Sequence, residues 1–512
     1  MSNEQAPSLN SIYLTASSAE DRSRDKTDSL AKKMALQIVK AIRENLQNRL
    51  EGVNPLQINE IYLASQLAPF LDNENLGITC PNDSNERAGE ESTELDEGNE
   101  IQQLSLDENE IPNQNRIKQF MHAVRKEIFA LLTDDNEQNN LIRQSLQEAK
   151  FIYTRVKSNI QPVLHEKAFA SVQNGQTVLV AGAESRHGLD PNLIPKSYNL
   201  SEEQKDKFKE GNYLAVGVVG ELLGNEASSS MGKVVEQMFI NMIGKETLKE
   251  KRTEIENYLD WMSAYSRYMA LKNEHAFNPE GLEKDFGEQI RASQEIDKDI
   301  LEQIYTQINT ARTTGQSFIS TNHLFTTHNC CIPTNGAAAA IFEPQANTKD
   351  GLNILAFTTK TNDQTIAHRF ENEHQDQTIQ QAYNKIKDQY NLEDDEAQKM
   401  LYCIHSAFAG LIPLFLDPVK KLSGDGPITQ MKQFTELCQE NPQRLIELGI
   451  LPFGGLYGGH PSAATALTII KDIFEYFRNH PKKEVLALIA SVWGPLAGIS
   501  MTLFKYYKKT EE

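Results

Sequence analysis

Half of the chain's eleven histidines and five cysteines fall between positions 323 and 405: His323, His328, Cys330, Cys331, His368, His374, Cys403 and His405. Imidazoles and thiols can share a zinc ion, or form a thiolate–imidazole pair that attacks a carbonyl. The spacing HxxxxHxCC fits no standard zinc pattern, and the chain has no CxxC. Adjacent cysteines on a strand also point to opposite faces. No metal and no cofactor is therefore assigned. For a nucleophile the candidates are Cys331 and Cys330, in a loop just ahead of an apolar strand. His368 or His374 would act as base, with Asp363 or Glu371 orienting it. That constellation supports thiol-mediated acyl transfer, as in a protease or deamidase.

Three other stretches invite chemistry. AVGVVGELLGNEASSSMGKVVEQMF (215–239) places Gly232 and Lys233 between a strand-like run and a helix, as a phosphate-binding loop would. The pattern needs Gly at 227 and a hydroxyl at 234 for Mg²⁺, and the chain has Ala227 and Val234. FISTNHLF resembles the Ser-Thr-Ser strand of ADP-ribosyltransferases, and Glu371-Asn-Glu373 their ExE, but Arg312 lies too close ahead of it. LPFGGLYGGHPSAA (451–464) reads as a glycine turn capped by His460 and Pro461, joining two apolar helices. GxSxG is absent, so an ordinary serine esterase is not expected.

The elements that would position these groups are mostly helical. Residues 1–26 are polar and mixed in charge. Ala35, Ile38, Val39, Ile42, Leu46 and Leu50 share one face of a helix starting near Thr27, and a second helix around Ile58–Phe70 would complete an N-terminal hairpin over 1–71. Residues 72–115 carry too few large apolar groups to offset the entropy of ordering and read as an acidic disordered linker. A mainly helical body with two strand-like runs follows over 116–312. Within 313–399, AAAAIFEP and LNILAFTT flank the turn NTKDG as partner strands of a small β-hairpin. No internal repeat stands out. The expected fold is α+β and predominantly α-helical: a helical bundle with a small β region and a hydrophobic helical region over 400–512.

Composition narrows the partners. The net charge of −20 is concentrated between Asp72 and Glu110, where Arg87 is the only basic residue, so a nucleic-acid footprint is not expected. Five cysteines in 512 residues make no disulfide framework and suit a reducing compartment. The N-terminus lacks the apolar stretch of a secretory leader. Val485–Phe504 runs without a charge between Lys482–Lys483 and Lys505, Lys508 and Lys509. That is about the 20 residues a membrane-spanning helix needs. Trp493, Tyr506 and Tyr507 suit its interface.

Abundant Asn, Gln, Lys and Glu, the missing leader, the acidic patch and the polar end KYYKKTEE with Glu511 and Glu512 resemble effectors of the Dot/Icm type IVB secretion system. The resemblance is one of composition. It implies secretion by a bacterium into a host cell, at the host cytoplasm or the cytoplasmic face of a membrane, with host proteins as partners. The leading expectation is a membrane-associated effector, attached through 485–504, that recruits or modulates host proteins. The alternatives are a thiol-dependent Cys/His hydrolase or transferase, and a soluble helical scaffold without a catalytic site.

Overall fold

The computed structural model describes residues 11–20, 28–65, 68–71, 73–77, 114–156, 160–185, 236, 239–241, 243–273, 276, 280–314, 323–331, 334–361, 378–405, 408–419, 422, 426–454, 459–480, 486–493 and 498–509. Among the described residues ten strands form one mixed sheet: β1 Ile12–Ala19, β2 Glu60–Ser65, β3 Lys150–Arg155, β4 Val178–Glu184, β5 Gly336–Glu343, β6 Asp350–Thr361, β7 Leu401–His405, β8 Ile450–Gly454, β9 Leu486–Trp493 and β10 Gly498–Lys508. The helices used below are α1 Leu30–Asn48, α2 Gln114–Ala130, α3 Glu137–Leu146, α4 spanning 161–173 with a π turn at Leu164–Ala168, α5 Lys245–Lys272, α6 Lys298–Thr313, α7 Thr378–Tyr390, α8 Ile412–Val419, α9 Pro427–Glu440 and α10 Thr465–Asn479.

The strand order is β3-β2-β4-β5-β1-β6-β10-β9-β7-β8. Read outward from the centre, β1-β5-β4-β2-β3 and β6-β10-β9-β7-β8 are the same walk, five strands apart in the chain. Directions match as well. β1·β5 and β4·β5 are antiparallel with β2·β4 and β2·β3 parallel. β6·β10 and β9·β10 are antiparallel with β7·β9 and β7·β8 parallel. The helices repeat too: α1 follows β1 as α7 follows β6, and α4 bridges β3 to β4 as α10 bridges β8 to β9. The fold is an internal duplication that the sequence does not display. The halves differ most in one connection, where 185–335, carrying α5 and α6, stands in place of the short 494–497 link; the β2–β3 connection over 66–149 is also longer than its counterpart over 406–449.

This corrects the expected helical bundle with a small hairpin. β5 and β6 do not pair with each other, because β1 lies between them and pairs with both. β1 escapes a hydropathy reading because IYLTASSA is small and polar. Its Thr15, Ser17 and Ser18 are nonetheless buried, and Ser18 Oγ donates to the Gln37 carbonyl of α1 at 2.8 Å. The stretch read as a second N-terminal helix holds β2. The acidic segment lies outside the described residues over 78–113. The phosphate-loop-like stretch also lies outside them apart from Glu236 and Phe239.

The membrane expectation is overturned by the same sheet. Val485–Phe504 is two strands, β9 and β10, paired antiparallel from Gly498↔Trp493 to Lys505↔Leu486. Ala487, Leu488, Ile489, Ala490, Ile499, Met501, Leu503 and Phe504 are buried on both faces of the sheet. A strand buried on both faces reads as a continuous apolar run rather than an alternation. Among the described residues no helix is long and apolar enough to cross a membrane.

The core lies on both faces of the sheet. α1 and α2 cover one face of the first half over Ala16, Ile61, Leu63, Leu179, Ala181, Ala339 and Ile341. Ser29 caps α1, and Ala31, Ala35, Ile38 and Ile42 bury its inner face. The other face, with Leu14, Val178, Val180, Ala338 and Ala340, shares a core with α4, α5 and α10. The halves interlock there. A Cβ at Gly182 of β4 would lie 2.6 Å from the Ala463 carbonyl, just ahead of α10. Gly182→Ala should therefore destabilise the protein by about 1–3 kcal/mol through overpacking. Chemical denaturation checks this, and an unchanged midpoint would mean that the α10 approach is not tight.

Candidate functional site

The inserted segment brings a buried ion pair. Tyr258–Leu271 of α5 is buried on every side, Asp260 completely so. Arg312 of α6 donates Nε and Nη2 to the two Asp260 oxygens at 2.8 and 2.7 Å. It also donates to the Leu324 carbonyl at 2.7 Å and to Asn329 Oδ1 at 3.0 Å. Asn329 Nδ2 donates to Ser263 Oγ at 2.9 Å, and its Oδ1 accepts from the Thr326 amide at 2.9 Å. These bonds fix the 3₁₀ turn Thr327–Asn329. His328 on that turn accepts a hydrogen bond from Arg267 through Nδ1. Burial, then the Arg267 charge, push this imidazole down to about 4.

The chain leaving this turn runs between two anchors. Cys330 forms an isolated antiparallel bridge to Phe408, three residues past His405 at the end of β7. The Thr334 amide donates to the His460 carbonyl at 3.3 Å. The two histidines meet: His405 Nε2 is 3.3 Å from His460 Nδ1, with ring centroids 4.8 Å apart. Both are buried, at 1% and 2% exposure. Thr465 Oγ1, in the first turn of α10, lies 2.8 Å from the same Nδ1.

Proton bookkeeping at that nitrogen assigns its role. The Thr465 hydroxyl is completely buried, and its proton needs an acceptor. With the hydroxyl donating, His460 Nδ1 accepts it at 2.8 Å, and His405 Nε2 lies farther from the same nitrogen, at 3.3 Å. His460 then carries its own proton on Nε2 and presents an N–H donor. Burial pushes its imidazole down to about 4, so it is neutral at physiological pH. A neutral imidazole N–H in a desolvated site polarises a carbonyl and binds a developing oxyanion.

The first half reaches the same place. His405 is paired in register with Ser491 on β9. Ser491 Oγ donates to Gln161 Oε1 at the start of α4, and Gln161 Nε2 donates to Thr502 Oγ1 at 2.8 Å. His165, one turn on, bonds Thr502 at 2.7 Å and Thr359 at 2.8 Å, and burial pushes it down to about 3. The starts of α4 and α10 thus flank the ends of β7 and β9.

Cys330 and Cys331 lie on the segment between the anchors. His368 and His374 lie outside the described residues. Cys330 Sγ donates to the Thr326 carbonyl at 3.5 Å, and burial pushes its thiol well above the usual range. Burial pushes Cys331 up to about 12, so both are protonated thiols at rest. His323 is exposed, with a φ of 55°, and Cys403 is buried in β7. Among the described residues no group of three His, Cys, Asp or Glu could hold a metal. Sequence reading missed His460 as a site residue. Its one signal was a histidine between a glycine pair and the proline that opens a helix.

No family model and no curated protein sequence matches the chain. Solved structures do. An acetyl-CoA acetyltransferase from Syntrophomonas wolfei is 12% identical, over 97% of this chain and 99% of that one, with a TM-score of 0.50. The human mitochondrial 3-ketoacyl-CoA thiolase is 11% identical, over 98% and 100%, with a TM-score of 0.52. The same human enzyme in complex with CoA is 10% identical, over 97% and 98%, with a TM-score of 0.53. The chain has the α/β thiolase fold along almost its whole length. That fold, with no membrane-length helix among the described residues, corrects the leading expectation of a helical effector attached to a membrane through 485–504.

Two outcomes follow from these buried charges. His165 and His460 titrate near 3 and 4 in the fold, against 6.5 when unfolded. The unfolded chain therefore takes up protons first, so this stability is present above pH 6.5 and is lost as pH falls toward 4. At about 1.4 kcal/mol per unit and group, on the order of a few kcal/mol goes by pH 4.5. Melting curves between pH 7.5 and 4.5 check it; a flat Tm would mean that these imidazoles are solvated. Separately, Arg312→Met leaves Asp260 buried and unpaired and should cost about 3–5 kcal/mol, much of it recovered by adding Asp260→Leu. A double-mutant cycle in urea reads the coupling.

Proposed function

We propose that this protein binds acyl thioesters of coenzyme A and transfers the acyl group between thiols, with His460 Nε2–H holding the carbonyl oxygen. The observation that carries the reading is the buried His405–His460–Thr465 constellation at the strand ends, with the His460 imidazole held neutral by burial. The fold supports it, since the matching structures are an acetyl-CoA acetyltransferase and a 3-ketoacyl-CoA thiolase, the latter also solved with CoA. As the attacking sulfur bonds to the acyl carbon, the carbonyl oxygen gains charge and receives the Nε2 hydrogen bond. His405 takes the attacking thiol's proton on a ring nitrogen as the bond forms and returns it to the leaving sulfur when the tetrahedral species collapses. We assign that attacking group to Cys331, in the segment between the two anchors. Its raised pKa requires its proton to leave as the bond forms.

Thioester exchange between labelled coenzyme A and acetyl-coenzyme A tests this. His460→Ala should lower the rate by about 10²–10³-fold, the usual loss on removing one oxyanion donor. Intact-mass analysis of wild type and Cys331→Ser then shows whether the acyl group rests on that sulfur. Failure of the wild type to bind coenzyme A or acetyl-coenzyme A at millimolar concentration would overturn the proposal.

A further inference from the structure

The ground beside His405 is filled with aromatic rings. Phe408, held by its bridge to Cys330, meets Phe325 edge-on at 6.3 Å between centroids. Phe325 meets Phe239 the same way at 5.7 Å. Phe325 and Phe239 are completely buried and Phe408 is 7% exposed. Gly410 admits them, since a Cβ there would lie 2.5 Å from Phe325 Cζ and 3.1 Å from Phe239 Cδ2. Phe325 is further fixed by its neighbour Leu324, whose carbonyl accepts from Arg312. The three rings come from different stretches of the chain: Phe239, Phe325 ahead of the Thr327–Asn329 turn, and Phe408 after β7.

Resting on the acyl-thioester reading above, we infer that the substrate is a short acyl group and that Phe408, backed by Phe325, sets this limit. An acyl chain whose carbonyl oxygen sits on His460 and whose tail turns toward the Cys330–Phe408 bridge meets packed rings within a few atoms. Interiors at crystal-like density do not open for extra methylenes without moving side chains off their rotamers. Phe325 and Phe239 are buried too deeply to give way. Phe408, with one edge at the surface, is the ring whose removal would lengthen the site.

The test is calorimetric titration of the full-length protein with acetyl-, butyryl- and octanoyl-coenzyme A. Wild type should bind the acetyl form at least about tenfold more tightly than the octanoyl form, the scale at which a pocket resolves alkyl size. Phe408→Ala should shrink or reverse that ratio, and Phe408→Leu should fall between. Equal binding of acetyl and octanoyl forms by wild type overturns this inference and leaves the acyl-thioester proposal intact. An unaltered ratio in Phe408→Ala, with a normal melting curve, overturns it as well. If Phe408→Ala does not fold, the wild-type series decides. No binding of any coenzyme A form removes both.

Discussion

Each half of this molecule buries its central helix against the strand ends of the other half, and everything at the candidate site depends on that exchange. On one side the turn ahead of α10 presses on Gly182 of β4, with no room for a methyl group. On the other, Gln161 and His165 of α4 bond Ser491, Thr502 and Thr359 on β9, β10 and β6. The first contact is steric and the second polar, so the two halves are held in register by different physics. A buried polar seam is tolerated only when its members are satisfied. Here the neutral His165 can accept from Thr502 while donating to Thr359, which closes the chain without a stranded proton. Moving either helix start would move His460 relative to His405.

How much of this the sequence reveals depends on the element. α1 and α6 show their apolar faces at helical spacing, and a candidate thiol and one of the paired histidines, His405, lie inside the cluster that composition singles out. The central strands do not show themselves. β1 is Ser- and Thr-rich because it is sandwiched between close-packed neighbours, one of them the alanine run of β5, where small side chains let helices approach. β9 and β10 are uncharged for the opposite reason: they face protein on both sides, and their combined length happens to match a bilayer. Strand pairing was the least legible feature. The short link from β5 to β6 reads as a hairpin, yet β1 from the other end of the first half occupies the slot between them.

The site is illegible for a related reason. His405 and His460 are 55 positions apart and join only because β7 and β8 are parallel neighbours whose ends lie side by side. Nothing local marks His460 beyond its place ahead of a helix. The cysteine segment, read correctly as a loop before an apolar strand, gains meaning from its anchors at Phe408 and His460. His368 and His374, the partners that adjacency in sequence suggested, lie outside the described residues; the sheet topology brings His405 and His460 together, with the His460 carbonyl bonded to the Thr334 amide at the end of that segment.

The duplication also explains why the site is one-sided. Two copies of one five-strand unit would by themselves make two equivalent ends. The insertion 185–335 breaks that symmetry, because only the first half carries it and its returning segment crosses the second half's strand ends. The Asp260–Arg312 pair is what fixes the path of that return, through Leu324 and Asn329. A buried ion pair adds little net stability over an apolar filling. Its directional bonds nevertheless specify where the backbone of 324–329 must run, which apolar packing alone would leave loose. The charge pair at the insertion and the histidine pair at the strand ends are therefore consecutive steps of one construction: the first places the segment, and the segment encloses the second.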